Sequence, residues 1–168
     1  MSPLDVRSDG PSDTGHVGAA LARLLSPGDV VVLEGEVGAG KTTLVRAAAR
    51  ELGVAGPVTS PTFTLARRYP GRHPLLHIDA YRLAGTDDEE LGLLLDDAHD
   101  AVTFIEWPGA LGADGPTPRI AVTIEHSGGD RRLIRLVSPA LRGDLERIGD
   151  DLRSRHIHAE PQPGADPG

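Results

Sequence analysis

The sequence predicts an α/β fold, a three-layer sandwich whose central sheet is mostly parallel and ends in a C-terminal antiparallel hairpin. Three observations predict it. Short apolar runs at residues 29–34, 75–79 and 101–106 read as strands, the first of them β-branched and buried on both faces of a parallel sheet. Between the first two runs, Thr42 to Leu52 has no helix breaker and reads as a helix. The first strand meets its helix through Gly35-Glu36-Val37-Gly38-Ala39-Gly40-Lys41-Thr42, a complete phosphate-binding loop of the Walker A type, which makes the expected fold P-loop NTPase-like.

The elements follow in order. Residues 1–12 are polar and carry Pro3, Gly10 and Pro11, so a mobile lead-in is expected before a single ATPase-type domain at 13–153. Asp13 or Thr14 is placed to cap a helix running to Leu25, with Val17, Leu21, Leu24 and Leu25 on one stripe; Pro27-Gly28 ends it. Asp29 to Glu34 is the first buried strand. Thr42 to Leu52 is the helix after the loop, stopped at Gly53. A stretch of small and turn residues, Gly53 to Pro61, leads to a strand at Phe63 to Tyr69, closed by Pro70-Gly71. Leu75 to Asp79 and Ala101 to Glu106 are strands that each end in an acid. Between them, Thr86-Asp87-Asp88-Glu89 has capping-box form and opens a short helix carrying Leu91, Leu94 and Leu95. Pro108 to Pro118 is a loop. Ile120, Val122 and Ile124 alternate with polar or small neighbours, and Ser127 to Asp130 turns that strand back into Leu133 to Val137. Leu141 to Leu152 reads as a helix, and residues 154–168 as a disordered tail rich in Pro and Gly.

Composition narrows the function. The chain has 168 residues and 39% hydrophobic content, enough for a core, but only five aromatics, so aliphatic packing dominates. A formal charge of −8 argues against a protein that grips nucleic acid unaided, because such binding draws on neutralising phosphates with a basic surface. Any nucleic-acid role therefore runs through a partner. Cysteine is absent, which removes disulfides and thiolate metal sites. The beginning, Met1-Ser2-Pro3-Leu4-Asp5, carries no export pattern, and no apolar run reaches the roughly 20 residues that cross a bilayer. A cytoplasmic protein without a membrane partner is expected.

The candidate chemistry gathers at strand ends. Lys41 is the only lysine of the chain, every other fixed cation being arginine, and a compact ammonium on a flexible stem suits a pocket formed by closely approaching backbone. Successive backbone N–H groups of Glu36, Val37, Gly38, Ala39, Gly40, Lys41, Thr42 and Thr43, backed by a helix N-terminus, suit phosphates. In open parallel sheets ligands bind at the carboxyl ends of the strands, where Asp79 holds the place of a Walker B aspartate and Glu106 ends a further strand. Thr42 can offer a hydroxyl to magnesium, which prefers oxygen ligands and keeps several waters; one acid would hold the ion and the other orient the attacking water. Many ATPases carry their second acid directly after the Walker B aspartate. Ala80 stands there, leaving Glu106 as the substitute. Against these roles, acids at strand ends also cap helices, and Thr59-Ser60-Pro61-Thr62 is either a segment that senses the γ phosphate or a plain turn. His77 reads as a satisfied core histidine, Trp107 as a packing residue, and Arg67, Arg68 and Arg82 as solvated or docking residues. The chain contains no asparagine, so it lacks the Asn-Lys-x-Asp element that reads guanine. ATP and ADP become the expected nucleotides, with Thr14 a candidate at the edge of the base. A small-molecule or nucleotide kinase shares the loop and the metal, and is the alternative; no long arginine-bearing lid insertion is evident for it. A nucleotide-gated scaffold that binds ATP but hardly hydrolyses it is a third reading.

Four motifs in order carry a family resemblance: Gly35 to Thr43, Ser60-Pro61-Thr62-Phe63-Thr64-Leu65, His77-Ile78-Asp79-Ala80-Tyr81-Arg82-Leu83, and Ile105-Glu106-Trp107-Pro108. Across about residues 13–138 the chain resembles the bacterial TsaE (YjeE) proteins. The resemblance implies a P-loop ATPase that uses ATP and Mg2+ and acts on TsaD and TsaB in forming threonylcarbamoyladenosine in tRNA, touching tRNA only indirectly. It implies metal roles for Thr42 and Glu106 and a turnover role for Asp79. Val37 and Ala80 stand where leucine is usual in the family, and the polar tail after Arg153 has no counterpart.

Overall fold

The computed structural model describes residues 3–61, 65–83, 88–139 and 142–163. In chain order these form β1 (Leu4–Ser8), α1 (Pro11–Ala22), β2 (Val30–Glu34), α2 (Lys41–Glu51), β3 (Ala66–Tyr69), β4 (Leu75–Asp79) and α3 (Ala80–Leu83). Then come α4 (Asp88–Asp97), β5 (Val102–Glu106), β6 (Ile120–His126), β7 (Arg132–Val137), α5 (Arg142–Ser154) and β8 (His158–Pro161). Short 3-10 segments at Ala98–Asp100 and Pro108–Asp114 complete the path. The fold is mixed α/β.

One eight-stranded sheet has the order β3-β4-β5-β2-β6-β7-β1-β8. It is parallel only across β4-β5-β2-β6. The other ladders are antiparallel, so the expectation of a mostly parallel sheet is corrected to a mixed one. The cause lies at the edges. β3 is a hairpin return onto β4, and β1 and β8 extend the β6-β7 hairpin on the far side. Both terminal segments thus depart from the mobile lead-in and disordered tail expected of them. Leu4 and Val6 alternate into the core from β1, while Ile157 and Ala159 bury beside them.

Strand periodicity divides the apolar residues between two cores. Val31, Leu33, Leu75, Val102 and Phe104 face α1, α2 and α5 in the larger one. Val30, Leu76, Ile78 and Ile105 point the other way, with Ala80 and Leu83 of α3. β2, β4 and β5 are largely buried on both faces for this reason, whereas β6 alternates buried with partly exposed residues as its sequence does.

Helix α1 starts earlier than its expected cap. Pro11 occupies the first turn, where its missing N–H costs nothing, and Gly10 stands at the cap without a side-chain bond. Asp13 instead accepts from the backbone N–H of Asp9 at 2.8 Å, and the Thr14 hydroxyl pairs with that of Ser8 at 2.9 Å. α1 then packs against α2 with almost no space between backbones: a Cβ at Gly18 would lie 2.1 Å from the Leu44 carbonyl oxygen. Of the expected capping box, Thr86 and Asp87 lie outside the described residues, as do Thr62, Phe63 and Thr64 of the Ser-Pro-Thr-Phe motif.

Candidate functional site

The site forms where the chain leaves β2 and enters α2. Gly40 caps α2 at φ 115°, a conformation that disfavours any side chain, and this turn aims the first amides of α2 into a cleft. The cleft measures ≈ 730 Å³ and is lined by Val37, Gly38, Gly40, Lys41, Thr42 and Thr43 from the loop and helix. Ser60, Asp79, Tyr81, Arg82, Glu106 and Trp107 close it from the neighbouring strand ends.

Lys41 is only 6% exposed. Its ammonium donates to the carbonyl oxygens of Gly35 at 2.6 Å and Glu36 at 3.0 Å, and lies 4.6 Å from the centre of the Trp107 ring. Burial pushes its pKa below the ordinary lysine value, while the charges of Glu106 and Asp79 oppose that shift. Both acids are thus electrostatic neighbours of the loop lysine. They are also register partners of each other across the parallel β4-β5 pair. Glu106 is buried, and its Oε1 lies 2.9 Å from His77 Nε2. Asp79 is partly exposed; its Oδ1 accepts from the Tyr81 N–H at 3.2 Å and its Oδ2 sits 3.5 Å from Arg82 Nε. Asp79 therefore does cap the start of α3, and it lines the cleft as well.

The remaining predicted residues separate into those that face the cleft and those that build it. Thr42 and Thr43 line it, as does Val37 at the exposed tip of the loop. Glu36 is exposed and contributes its carbonyl to Lys41; Ala39 is buried under the loop. Thr14 does not line the cleft. It is buried behind the loop, its methyl group 3.5 Å from where a Cβ on Gly40 would sit. Ser60 reaches the cleft, and its neighbour Thr59 is anchored: Arg67 donates to its hydroxyl at 2.6 Å and Tyr69 exchanges two bonds with its backbone at 3.3 Å. Arg68 pairs with Asp100 on the surface.

Three contributors were not evident from the residues alone. Arg132 on β7 donates to the carbonyls of Ala39 at 2.8 Å and Gly38 at 3.4 Å, bracing the loop from 93 and 94 residues away in sequence. Only the sheet order brings it there. Trp107 adopts φ 58°, ψ 50°, strained for a bulky residue, and this left-handed turn directly after Glu106 lays its ring beside Lys41. Tyr81, largely exposed, stands 6.4 Å from that ring. The Trp and Tyr of the third and fourth motifs were visible as letters, but not their meeting.

Comparison with known proteins identifies the family. The model of the family described as Threonylcarbamoyl adenosine biosynthesis protein TsaE matches residues 8–134. Over 119 residues the chain is 46% identical to the tRNA threonylcarbamoyladenosine biosynthesis protein TsaE of Streptomyces coelicolor, covering 68% of this chain and 80% of that one. The Bacillus subtilis protein of the same name is 36% identical over 157 residues, covering 93% and 97%. The crystal structure of Bacillus subtilis YdiB superposes with a TM-score of 0.70 at 32% identity, covering 93% of this chain and 97% of that one. With the family model spanning the loop, both acidic strand ends and the bracing Arg132, the chain belongs to the TsaE family.

Proposed function

We propose that this chain is a magnesium-dependent ATPase that supports formation of threonylcarbamoyladenosine in tRNA by acting on TsaD and TsaB type partners in the cytoplasm. The observation that carries the reading is the convergence of Lys41, Thr42, Asp79 and Glu106 on one cleft at the carboxyl ends of β2, β4 and β5. Family membership supports the tRNA-modification context, and the acidic composition supports an indirect relation to tRNA.

The donor set fits magnesium. Among the described residues no three acidic, histidine or cysteine side chains form a metal cage, whereas the Thr42 hydroxyl shares the cleft with the carboxylates of Asp79 and Glu106. Magnesium binds through few protein oxygens and completes its shell with phosphate and water, so a sparse site is the suitable one. Thr42 and Glu106 would hold it, with Asp79 near. When bound, the ion draws negative charge from the β and γ phosphates.

The chain's own groups do the rest. Lys41 exchanges its two backbone carbonyls for phosphate oxygens, and the amides of the loop and of the first turn of α2 meet the remaining charge. Asp79 accepts a hydrogen bond from the attacking water and orients it. Trp107 and Tyr81 shield the lysine side of the cleft, which strengthens these interactions by lowering the local dielectric. No helix among the described residues is long and apolar enough to cross a membrane.

The test is phosphate release from ATP by the purified chain alone, with TsaD and TsaB added, and with tRNA added last. Slow turnover that the partners accelerate is expected, and Lys41→Ala should lose it. Full partner-stimulated turnover in Lys41→Ala refutes the assignment. Transfer of the γ phosphate to a metabolite, with little free phosphate, would instead identify a kinase.

A further inference from the structure

We infer that His77 is the positioning residue of Glu106: its Nε2–H holds one carboxylate oxygen and thereby fixes how Glu106 is presented to a magnesium nucleotide in the cleft. This rests on the magnesium-ATP reading above. His77 is two residues before Asp79 on β4, so the two side chains share a face of the sheet, the face covered by α2. Across the parallel pair His77 is level with Phe104 and Asp79 with Glu106, which makes His77 and Glu106 diagonal neighbours two residues apart in register. That separation is within reach of two long side chains. The Nε2···Oε1 distance is 2.9 Å, with the His77 side chain 0% and the Glu106 side chain 7% exposed.

A histidine kept only for core packing would be a poor choice here. Among the described residues its buried Nδ1 has no hydrogen-bond partner, so the position carries the cost of a polar atom that leucine would avoid. Among the described residues the one polar contact of the ring is to Glu106, and His77 is the hydrogen-bond partner of that carboxylate. In this pair the ring serves as donor through Nε2–H and the carboxylate oxygen as acceptor. One oxygen of Glu106 is thereby occupied and its side-chain rotation stopped. What remains free to accept faces the cleft that Glu106 lines. This is the arrangement in which an outer hydrogen bond sets the orientation and basicity of a metal-binding group.

The experiment compares His77→Leu, which fills the space without a donor, with His77→Gln, whose amide can donate from a similar distance. Nucleotide uptake is followed through Trp107, the only tryptophan of the chain, while Mg2+ is titrated into the ADP-bound protein. His77→Leu is expected to need about tenfold more Mg2+ for half-saturation, His77→Gln less than about threefold more, and both to bind ADP normally in EDTA. Equal Mg2+ dependence in wild type and His77→Leu overturns the inference, as does equal impairment of the two variants. A second measurement uses ring-labelled histidine in the wild-type protein, with the His77 signal assigned by its loss in His77→Gln. Its Nε2–H should resist exchange and should shift when Mg2+ joins bound ADP, but not in Glu106→Ala. If His77→Leu does not fold, that signal decides, and a His77 resonance indifferent to Mg2+ overturns the proposal. A wild-type chain that shows no Mg2+-dependent nucleotide binding at all overturns the ATPase reading itself, a result distinct from the failure of His77 alone.

Discussion

Two glycines on the same face of α1 should respond in opposite directions to the same added methyl group. At Gly18 the new Cβ would stand 2.1 Å from the Leu44 carbonyl oxygen and 3.0 Å from its carbon. A carbon and an oxygen in contact rest at about 3.3 Å, so the helices must part by roughly 1.2 Å or distort. Overpacking of this kind costs about 1–3 kcal/mol, and the obstacle is backbone that cannot swing aside. The gain from alanine's better helix propensity offsets only about 0.5–1 kcal/mol. A net loss of about 1–2 kcal/mol follows, or a Tm lower by roughly 2–8 °C for a chain of this size. At Gly15 the new Cβ meets only the Ala47 methyl at 3.6 Å, an ordinary contact, so Gly15→Ala should hold or raise the Tm. Differential scanning calorimetry of both variants reads the difference. Leu44 lies one turn inside the helix whose first residue is Lys41, so Gly18→Ala should also weaken ADP binding by calorimetric titration. A Gly18→Ala protein as stable as wild type would refute the claim that backbone proximity sets the α1-α2 distance.

Two further variants probe the frame around the site. Arg119 donates to Asp144 at 2.9 Å and to Asp29 at 2.7 Å, and these bonds hold its pKa above the ordinary arginine value, the Asp144 bond most. Because Asp144 is buried, Arg119→Met strands a carboxylate and should cost about 3 kcal/mol in urea unfolding; a loss below about 0.5 kcal/mol would show the network to be ornamental. Removing residues 157–168 strips Ile157 from the core and uncovers the edge of β1, so a stability loss of about 3 kcal/mol and concentration-dependent association by light scattering are expected. An unchanged Tm in that truncated chain would mean that β8 contributes nothing.

Most of the half that carries the cleft is legible because its signals are local. A glycine loop between a β-branched run and an uninterrupted helical segment has one structural outcome, and Asp79 and Glu106 announce themselves by ending apolar runs. The antiparallel half was harder to read. β1 and β8 each carry few apolar residues among charges, prolines and glycines, and their strand character comes from pairing with each other and with β7, which no window of sequence displays. Thr14 is a sequence candidate for the edge of the base. The tertiary fold instead turns it inward, because Ser8 supplies a buried hydroxyl partner. His77 is buried as its apolar run predicts, yet its bond to Glu106 depends on inter-strand register, which apolar patterning does not encode.

The pairing of β1 with β8 has a practical consequence. The backbone N–H of Gln162 donates to the Pro3 carbonyl at 2.8 Å, so positions near either extremity of the described chain are neighbours. They sit at the sheet margin three and four strands from β2, roughly 14–19 Å at the usual spacing between strands. An affinity handle fused at either side therefore leaves the mouth of the cleft clear. The same adjacency suits a circular permutant, with a brief glycine-serine bridge joining the old extremities and new ones opened at the Gly128-Gly129 turn.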